Sequence, residues 1–507
     1  MLHVKRIRFV IFAGLLAVLC TCTWLLLNME QNQCMGVPIV AEDFVEKLTE
    51  DPALDISELQ FNGIKIGSGE ELTTIYISQP TEVLTDSSRL HGKLTVSDSG
   101  LSLYFLQNYV MKDLESAVSR GNPLFLVITD GNAYRRIKVV LTTLPVMYIE
   151  QTSPDTFADA QGREVKTGSF MLMGKTDSSD IGYRVESGMT QWHIRGHSSS
   201  YSSKPPLKLS LKDKNGNNAD HDLLQLGADD DWILNALNKE DTKVREKFAM
   251  DFWNQYLAED AAERMSTGEY VEVIEDNSYR GLHLLQRRID QKYLQLDRET
   301  DILFKGSNTW SMDSMEQSYE IIYSPYSQED TYQILSDVVT WQNGSRIDLD
   351  SFIKLELFID FLSAGDNADY KNIFYVLQKE GDHYVMRFVP WDTDLSMGIT
   401  WMDGIVFDFY TALEARIKYR EYENVKQHYP QLDQMLADHW QKARRQIYTA
   451  ENIHDILNAQ IDLICNSGAY SREMQFEGLQ YEGMDSFDAL LTWCEIRLGI
   501  MDARYVK

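Results

Sequence analysis

The sequence predicts an α+β protein, and three observations carry that reading. Short runs of alternating polarity at 72–77, 93–96, 101–106, 123–128 and 137–144 have the period of half-buried strands, and turn residues such as Asp130-Gly131-Asn132 punctuate them. Strands and helices then mix from about 180 to 400. After Gly398 the apolar spacing is mostly helical, clearest at 406–419, 432–447 and 487–501.

Taken in order, 39–48 reads as a helix and 38–150 as a small β-rich accessory domain ending near Pro145. Residues 151–507 form a second unit, with its motifs at 185–400 and a helical part at 401–507. Within it, 190–194, 207–211 and 232–234 read as strands. Leu207, Leu209 and Leu211 fall on one face of theirs, with Lys208 and Ser210 on the other. Asp241 or Thr242 caps a helix over 244–256. A second helix over 350–364 places Phe352, Leu355, Phe358, Phe361 and Leu362 at helical spacing and delivers the chain into Asp366. The alternation at 384–390 is a strand that runs into Trp391-Asp392-Thr393-Asp394.

The N-terminus is set apart. Lys5, Arg6 and Arg8 precede an apolar run from Phe9 to Leu27, nineteen residues, a length that predicts a membrane span with the N-terminus in the cytoplasm and the rest outside. Residues 1–30 are therefore expected to be a signal anchor, or a signal peptide if cleaved, giving a membrane-tethered or secreted extracytoplasmic protein. Cys465 and Cys494 either pair or remain buried thiols.

The chain of 507 residues carries 48 basic against 77 acidic side chains, a formal charge of −29. Such a surface repels nucleic acid backbones, which excludes that class of partner.

The chemistry concentrates in two acidic segments. Gly365-Asp366-Asn367-Ala368-Asp369-Tyr370-Lys371-Asn372 offers a carboxylate and, six positions on, a carboxamide. Asp392 and Asp394 stand at i and i+2, on one side of an extended chain. Hard oxygen donors without Cys or His suit Mg²⁺ or Mn²⁺, and a further carboxylate can take a hydroxyl proton, as in kinases. Upstream, Arg195-Gly196-His197-Ser198-Ser199 is a hydroxyl-rich loop after a strand, suited to phosphate oxygens. Lys204, with Lys208 as runner-up, supplies a point charge for phosphates.

The ordered set of the Arg195–Ser199 loop, Lys204, Leu226-Gly227-Ala228-Asp229-x-Asp231-Trp232-Ile233-Leu234, Arg245, Tyr279-x-Gly281, Gly365-Asp366-Asn367 through Asn372-x-Phe374-Tyr375, and Pro390-Trp391-Asp392-x-Asp394 resembles the CotH family of kinase-like proteins over roughly 185–400. The resemblance implies an atypical, minimal protein-kinase fold that transfers phosphate from ATP, with Mg²⁺ or Mn²⁺, to Ser or Thr of envelope, secreted or spore-coat proteins. Asp366 would be the base, Asn372 and Asp392 metal ligands, Asp394 a second ligand or support, and Lys204 the phosphate lysine. Arg195, Ser198, Ser199 and Lys208 would lie near the nucleotide, and Arg245 would be a structural ion-pair residue.

Two departures stand out. Gln286-Arg287-Arg288 replaces a Glu that many members carry after the Tyr-x-Gly turn. The Asp366 to Asn372 spacing is also one longer than in the usual kinase loop, which leaves Asp369 as an alternative base. The alternative to an enzyme is a pseudokinase that scaffolds envelope or coat assembly.

Overall fold

The computed structural model describes residues 33–175, 183–196, 198–306, 315–368, 371–400, 406–478 and 485–506. The first layer is a sheet built on Ser102–Leu106, Leu124–Thr129 and Ala133–Thr142, with Thr74–Ser78 parallel to the last of these. A three-stranded sheet, Leu59–Phe61, Ile64–Gly67 and Leu94–Val96, packs beside it. Most strands here lie within a residue or two of the expected runs, because alternation on a half-buried sheet is a strong signal. The helix expected at 39–48 is instead the strand Val37–Val40 and a 3-10 turn at Glu42–Lys47. Pro38 and the β-branched residues beside it favour extended backbone.

The next eight strands form one sheet, and seven of them close into a barrel. The order is Val146–Gln151, Gly268–Glu275, Ser278–Arg287, Asp231–Asn235, Leu207–Lys212, Tyr183–Ile194 and Glu164–Lys175, returning to Val146–Gln151. Closure is made by the antiparallel register Val146↔Met173 to Gln151↔Gly168. Gly168 lacks a Cβ where one would sit 1.8 Å from the Glu150 carbonyl oxygen, so the two strands meet only because it is glycine. Inward residues Trp192, Leu209, Leu211, Trp232, Val271 and Leu285 fill the barrel.

A second sheet follows, in the order Tyr319–Tyr323, Ile302–Gly306, Ile373–Glu380, His383–Pro390 and Arg346–Ile347. The helix Leu349–Leu362 packs on it, and the helices Leu432–Arg444, Ala450–Asn466, Ala469–Glu477 and Phe487–Tyr505 complete a bundle. The helix Arg245–Tyr256 joins barrel to bundle. Its Phe252 stacks against Phe358, Trp253 meets Phe358 edge-on, and Phe252 also meets Phe361 and Tyr448 in the largest apolar core.

Two expectations are corrected. The α+β reading, a minimal kinase-like domain behind a membrane-spanning segment, gives way to a mixed α/β fold with a closed β-barrel and a C-terminal helical bundle. Alternation is the same in open and closed sheets, and closure depends on pairing between distant strands, which local pattern does not carry. The spanning segment at Phe9–Leu27 lies outside the described residues, and no described helix is long and apolar enough to cross a membrane. The longest described helix, Phe487–Tyr505, carries Asp488, Glu495, Arg497, Asp502 and Arg504. The anchor, the membrane as partner and the extracytoplasmic placement built on them are withdrawn. Cys465 and Cys494 are free thiols, Cys494 fully buried.

Candidate active site

The two acidic segments meet. Helix Leu349–Leu362 ends at Ser363 in the left-handed conformation, and a short helical turn, Gly365–Ala368, follows. Asn367, in that turn, donates its side-chain amide to the backbone oxygens of Asn372 (3.1 Å) and Trp391 (2.7 Å). Trp391 N–H donates to the Asn372 carbonyl at 3.0 Å. The loop after the helix and the end of the His383–Pro390 strand are thus stitched together.

On this frame, Asp366 Oδ2 accepts from Asn372 Nδ2 at 2.8 Å and Oδ1 pairs with Lys371 at 2.8 Å. The bond occupies the amide nitrogen of Asn372 and leaves its carbonyl oxygen for a cation. Asn372 and Asp392 both hold positive φ, 63° and 58°, an uncommon backbone that clusters at functional sites. Asp369 lies outside the described residues.

Sequence reasoning missed a further acid. Glu246, in the first turn of Arg245–Tyr256, accepts from Thr393 N–H at 2.6 Å and Thr393 Oγ1 at 2.8 Å. Its other oxygen is buried with no partner among the described residues. Burial, then the Asp392 charge, pushes its carboxyl up to about 8. Burial, followed by Asp392, Glu246, Glu240 and Asp366, holds Asp394 well above the usual carboxylate range. Crowded carboxylates that resist ionisation are what a divalent cation relieves.

The cations around these acids are only in part those expected. Arg195, at the end of Tyr183–Ile194, sits over the Trp391 ring at 5.9 Å. Burial lowers its pKa and Asp392 opposes that shift. Lys305, in Ile302–Gly306, is also lowered by burial and supported by Asp392, with the charges of Arg195 and Arg288 close by. Arg288 belongs to the Gln286-Arg287-Arg288 departure, where an Arg in contact with phosphate is one expectation, whereas Lys305 carried no signal in sequence, since one cation in an apolar strand is an ordinary surface residue. Arg288 and Lys208 share Asp231, each at 2.9 Å.

Ser198 opens the 3-10 turn Ser198–Tyr201, and Ser199 Oγ lies 2.1 Å from where a Cβ on Gly196 would be, so this loop needs glycine at φ 92°. Lys204 lies elsewhere. It is buried, donates to the Leu282 carbonyl at 2.5 Å and is ion-paired with Glu473, while burial lowers its pKa to about 8. No contact joins it to Asp366, Asn372, Asp392 or Asp394 among the described residues.

Arg245 holds Asp485 at 2.6 Å and donates to the carbonyls of Ser396 (3.1 Å) and Met397 (3.3 Å), bracing the turn after Asp394. Arg287 pairs with Asp229 at 2.6 Å and donates to the Leu226 carbonyl at 2.9 Å.

The donor set fits a hard divalent cation, though not as a closed cage. The three acids whose ligand atoms come within 4.8 Å of one another, among the described residues, are Asp220, Asp229 and Asp230, on which Lys292 and Arg287 already sit. Asp392, Asp394 and Glu246 do not form so close a trio. That suits Mg²⁺, which takes one or two carboxylates and fills its octahedron with phosphate oxygens and water.

Buried acids, an Asp366–Asn372 pair in the loop and the cations Arg195 and Lys305 are thus gathered in one place. The CotH kinase protein family model matches residues 192–475, more than half of the chain, and the chain belongs to that family. No curated protein matches it. Family membership supports a general kinase-like phosphotransfer function and the ATP and Mg²⁺ that go with it.

Proposed function

We propose that this protein transfers the γ-phosphoryl group of ATP to a Ser or Thr hydroxyl of a protein acceptor, of the envelope, secreted or spore-coat class that the resemblance implies. The observation that carries the reading is the convergence of Asp366, Asp392, Asp394 and Glu246 opposite Arg195 and Lys305. Asp392, Asp394 and the Asn372 carbonyl oxygen would hold Mg²⁺ or Mn²⁺, with Glu246 fixing the backbone between the two aspartates. Bound there, the ion would supply positive charge against the phosphate oxygens.

Arg195 and Lys305, with Arg288 and Lys208 behind them, orient the triphosphate. Ser198 and Ser199 sit in the adjoining loop. Asp366 accepts the proton as the acceptor oxygen bonds to the γ-phosphorus. The bond from that phosphorus to the bridging oxygen breaks, and ADP leaves. Lys371, paired with Asp366 at 2.8 Å, orients that carboxylate.

The test is Mg²⁺-dependent transfer from γ-labelled ATP by the full chain, with casein and the protein itself as acceptors and Asp392→Ala as control. Label lost in the variant supports the kinase. No label and no thermal shift with Mg-ATP overturns it. One observation favours the scaffold reading: Lys204 is committed to Glu473 inside the protein. That reading predicts partner binding without any transfer.

A further inference from the structure

The helix Arg245–Tyr256 carries Glu246 in its first turn, and the start of that helix is held from outside it. Val244, before the helix, makes no side-chain cap. Buried Glu240 instead accepts from the N–H groups of Val244 (3.1 Å), Arg245 (2.9 Å) and Glu246 (3.3 Å). A carboxylate over these otherwise unpaired N–H groups suits the positive end of a helix. The chain has to curl back to bring Glu240 there, and Lys243 makes the bend, with φ 61°. Leu237 also holds a positive φ, 51°, at the other end of the segment. Residues other than glycine seldom adopt this region, and they persist in it where surrounding contacts fix them.

The contacts at Lys243 come from three directions. Its ammonium donates to the Leu237 carbonyl at 2.9 Å, which closes the segment on itself. The hydroxyl of Tyr270, in the barrel strand Gly268–Glu275, donates to the Lys243 carbonyl at 2.9 Å. The helix Ala469–Glu477 supplies Glu477 at 2.7 Å and Glu473 at 3.7 Å. Four residues apart, these two acids stand on one helix face. Glu477 is the last residue of its helix, where the dipole disfavours an acid, so the lysine it meets accounts for its place there. A glycine at 243 would take the same backbone without strain, but it would bring no anchor to the bundle.

Three residues after Lys243, Glu246 accepts from both the N–H and the hydroxyl of Thr393, between the two aspartates. The ammonium of Lys243 is buried and committed to Glu473, Glu477 and Leu237, so it acts on the site through Glu246 and not on the phosphates.

We propose that Lys243 is a positioning residue for the metal acids. Anchored to the bundle by Glu473 and Glu477 and to the barrel by Tyr270, it sets the entry of the helix so that Glu246 meets Thr393. Through Thr393 it holds the Asp392–Asp394 segment in place for a divalent cation. This rests on the kinase reading, because it takes Asp392 and Asp394 as the metal ligands.

The test is Mn²⁺ binding to the full chain without ATP, read from the electron paramagnetic resonance of the free ion, in a double-mutant cycle of Lys243→Met and Glu246→Gln. Lys243→Met should weaken Mn²⁺ binding by about tenfold or more, the scale of losing a group that orients metal ligands. In the Glu246→Gln background, where Asp392 and Asp394 remain, the same change should weaken it by less than about twofold, because residues that act through one another are not additive. A lysine that served the fold alone would lower Tm and leave Mn²⁺ binding by the folded protein unchanged. Should Lys243→Met not fold, Glu477→Ala takes its place in the cycle, since Glu477 is partly exposed, with a smaller loss and the same dependence on Glu246. Unchanged Mn²⁺ binding, an equal loss in both backgrounds, or a wild type that binds no Mn²⁺ overturns the inference. Losses that depend on Glu246, without phosphate transfer by the wild type, leave Lys243 in its role and count against the kinase reading instead. Transfer by the wild type with independent losses keeps the kinase reading and removes Lys243 from it.

Discussion

Glu246 and Thr393 are joined twice, through the Thr393 N–H at 2.6 Å and its hydroxyl at 2.8 Å, and Thr393 stands between Asp392 and Asp394. A buried carboxylate on a helix therefore sets the direction of both metal candidates. Its second oxygen has no hydrogen-bond partner among the described residues.

Glu246→Gln should separate these duties. The amide oxygen can still accept from Thr393, but the group can no longer ionise when a cation binds. Transfer should fall about 10²-fold, the scale of losing one preorganised electrostatic group. Melting in EDTA should rise or stay level, because a buried carboxyl crowded by Asp392 has gone. A variant that loses activity and stability together would assign Glu246 to the fold alone.

Lys204 and Glu473 are 269 residues apart in the chain and paired in the interior. Gly281 makes room for them: at φ 90°, its missing Cβ would fall 2.3 Å from a Glu473 oxygen. Lys204→Ala leaves Glu473 buried beside Lys243, which sits 3.7 Å away. Breaking such a pair costs about 3–5 kcal/mol, while replacing both partners by apolar residues is much milder. Lys204→Ala should therefore lower Tm strongly, and Lys204→Met with Glu473→Leu should regain most of it. A titration of Mg-ATP onto the double variant that matches wild type would give Lys204 a structural role. A large loss of affinity with the fold intact would return it to the phosphates.

The sequence made the acidic motifs legible because they are local. Asp366 to Asn372 and Asp392 to Asp394 each occupy one turn or strand end, and the strand and helix that deliver them have clear periods. The cations were less legible. Arg195 follows a strand and Arg288 stands in a noted departure, so both were visible, whereas Lys305 acquires meaning only when its strand comes near Asp392, Arg195 and Arg288. The pairing of Lys204 was not legible either, since nothing near it in sequence announces Glu473. Barrel closure escaped for the same reason: Gly168 against Glu150 is a contact between strands, not a pattern within one.

Glu356 gives a pH dependence away from the acid set. It is buried in Leu349–Leu362, accepts from Tyr419 N–H at 2.7 Å, and has one oxygen with no partner among the described residues. Burial raises its pKa to about 8; Asp360 adds to this, and Arg416 and Lys418 oppose it. Between the unfolded value of about 4.3 and about 8 the folded state binds the extra proton. Its contribution is whole below that lower value and is lost as pH rises through 8. Tm should fall more steeply from pH 5 to pH 8 in the wild type than in Glu356→Gln. Parallel curves would show that Glu356 is ionised in the folded protein.

Lys305 is the sharpest test of the site as a whole. It projects from Ile302–Gly306 toward Asp392, and its ammonium lies 5.8 Å from the centre of the Phe374 ring. A half-buried lysine that owes its charge to an aspartate is poised to meet phosphate once a metal takes that aspartate. Removing it should leave the fold nearly intact, because it makes no ion pair among the described residues that the core depends on. Lys305→Ala should raise KM for ATP and lower kcat/KM by about 10²-fold or more, the usual loss for a group holding a transferring phosphoryl. Lys305→Arg should recover part of the affinity but less of the rate, since a planar guanidinium cannot replace a point charge in a confined site. If both variants phosphorylate at the wild-type rate, the phosphates lie elsewhere, and the convergence of Arg195, Lys305 and the acids is a packing arrangement.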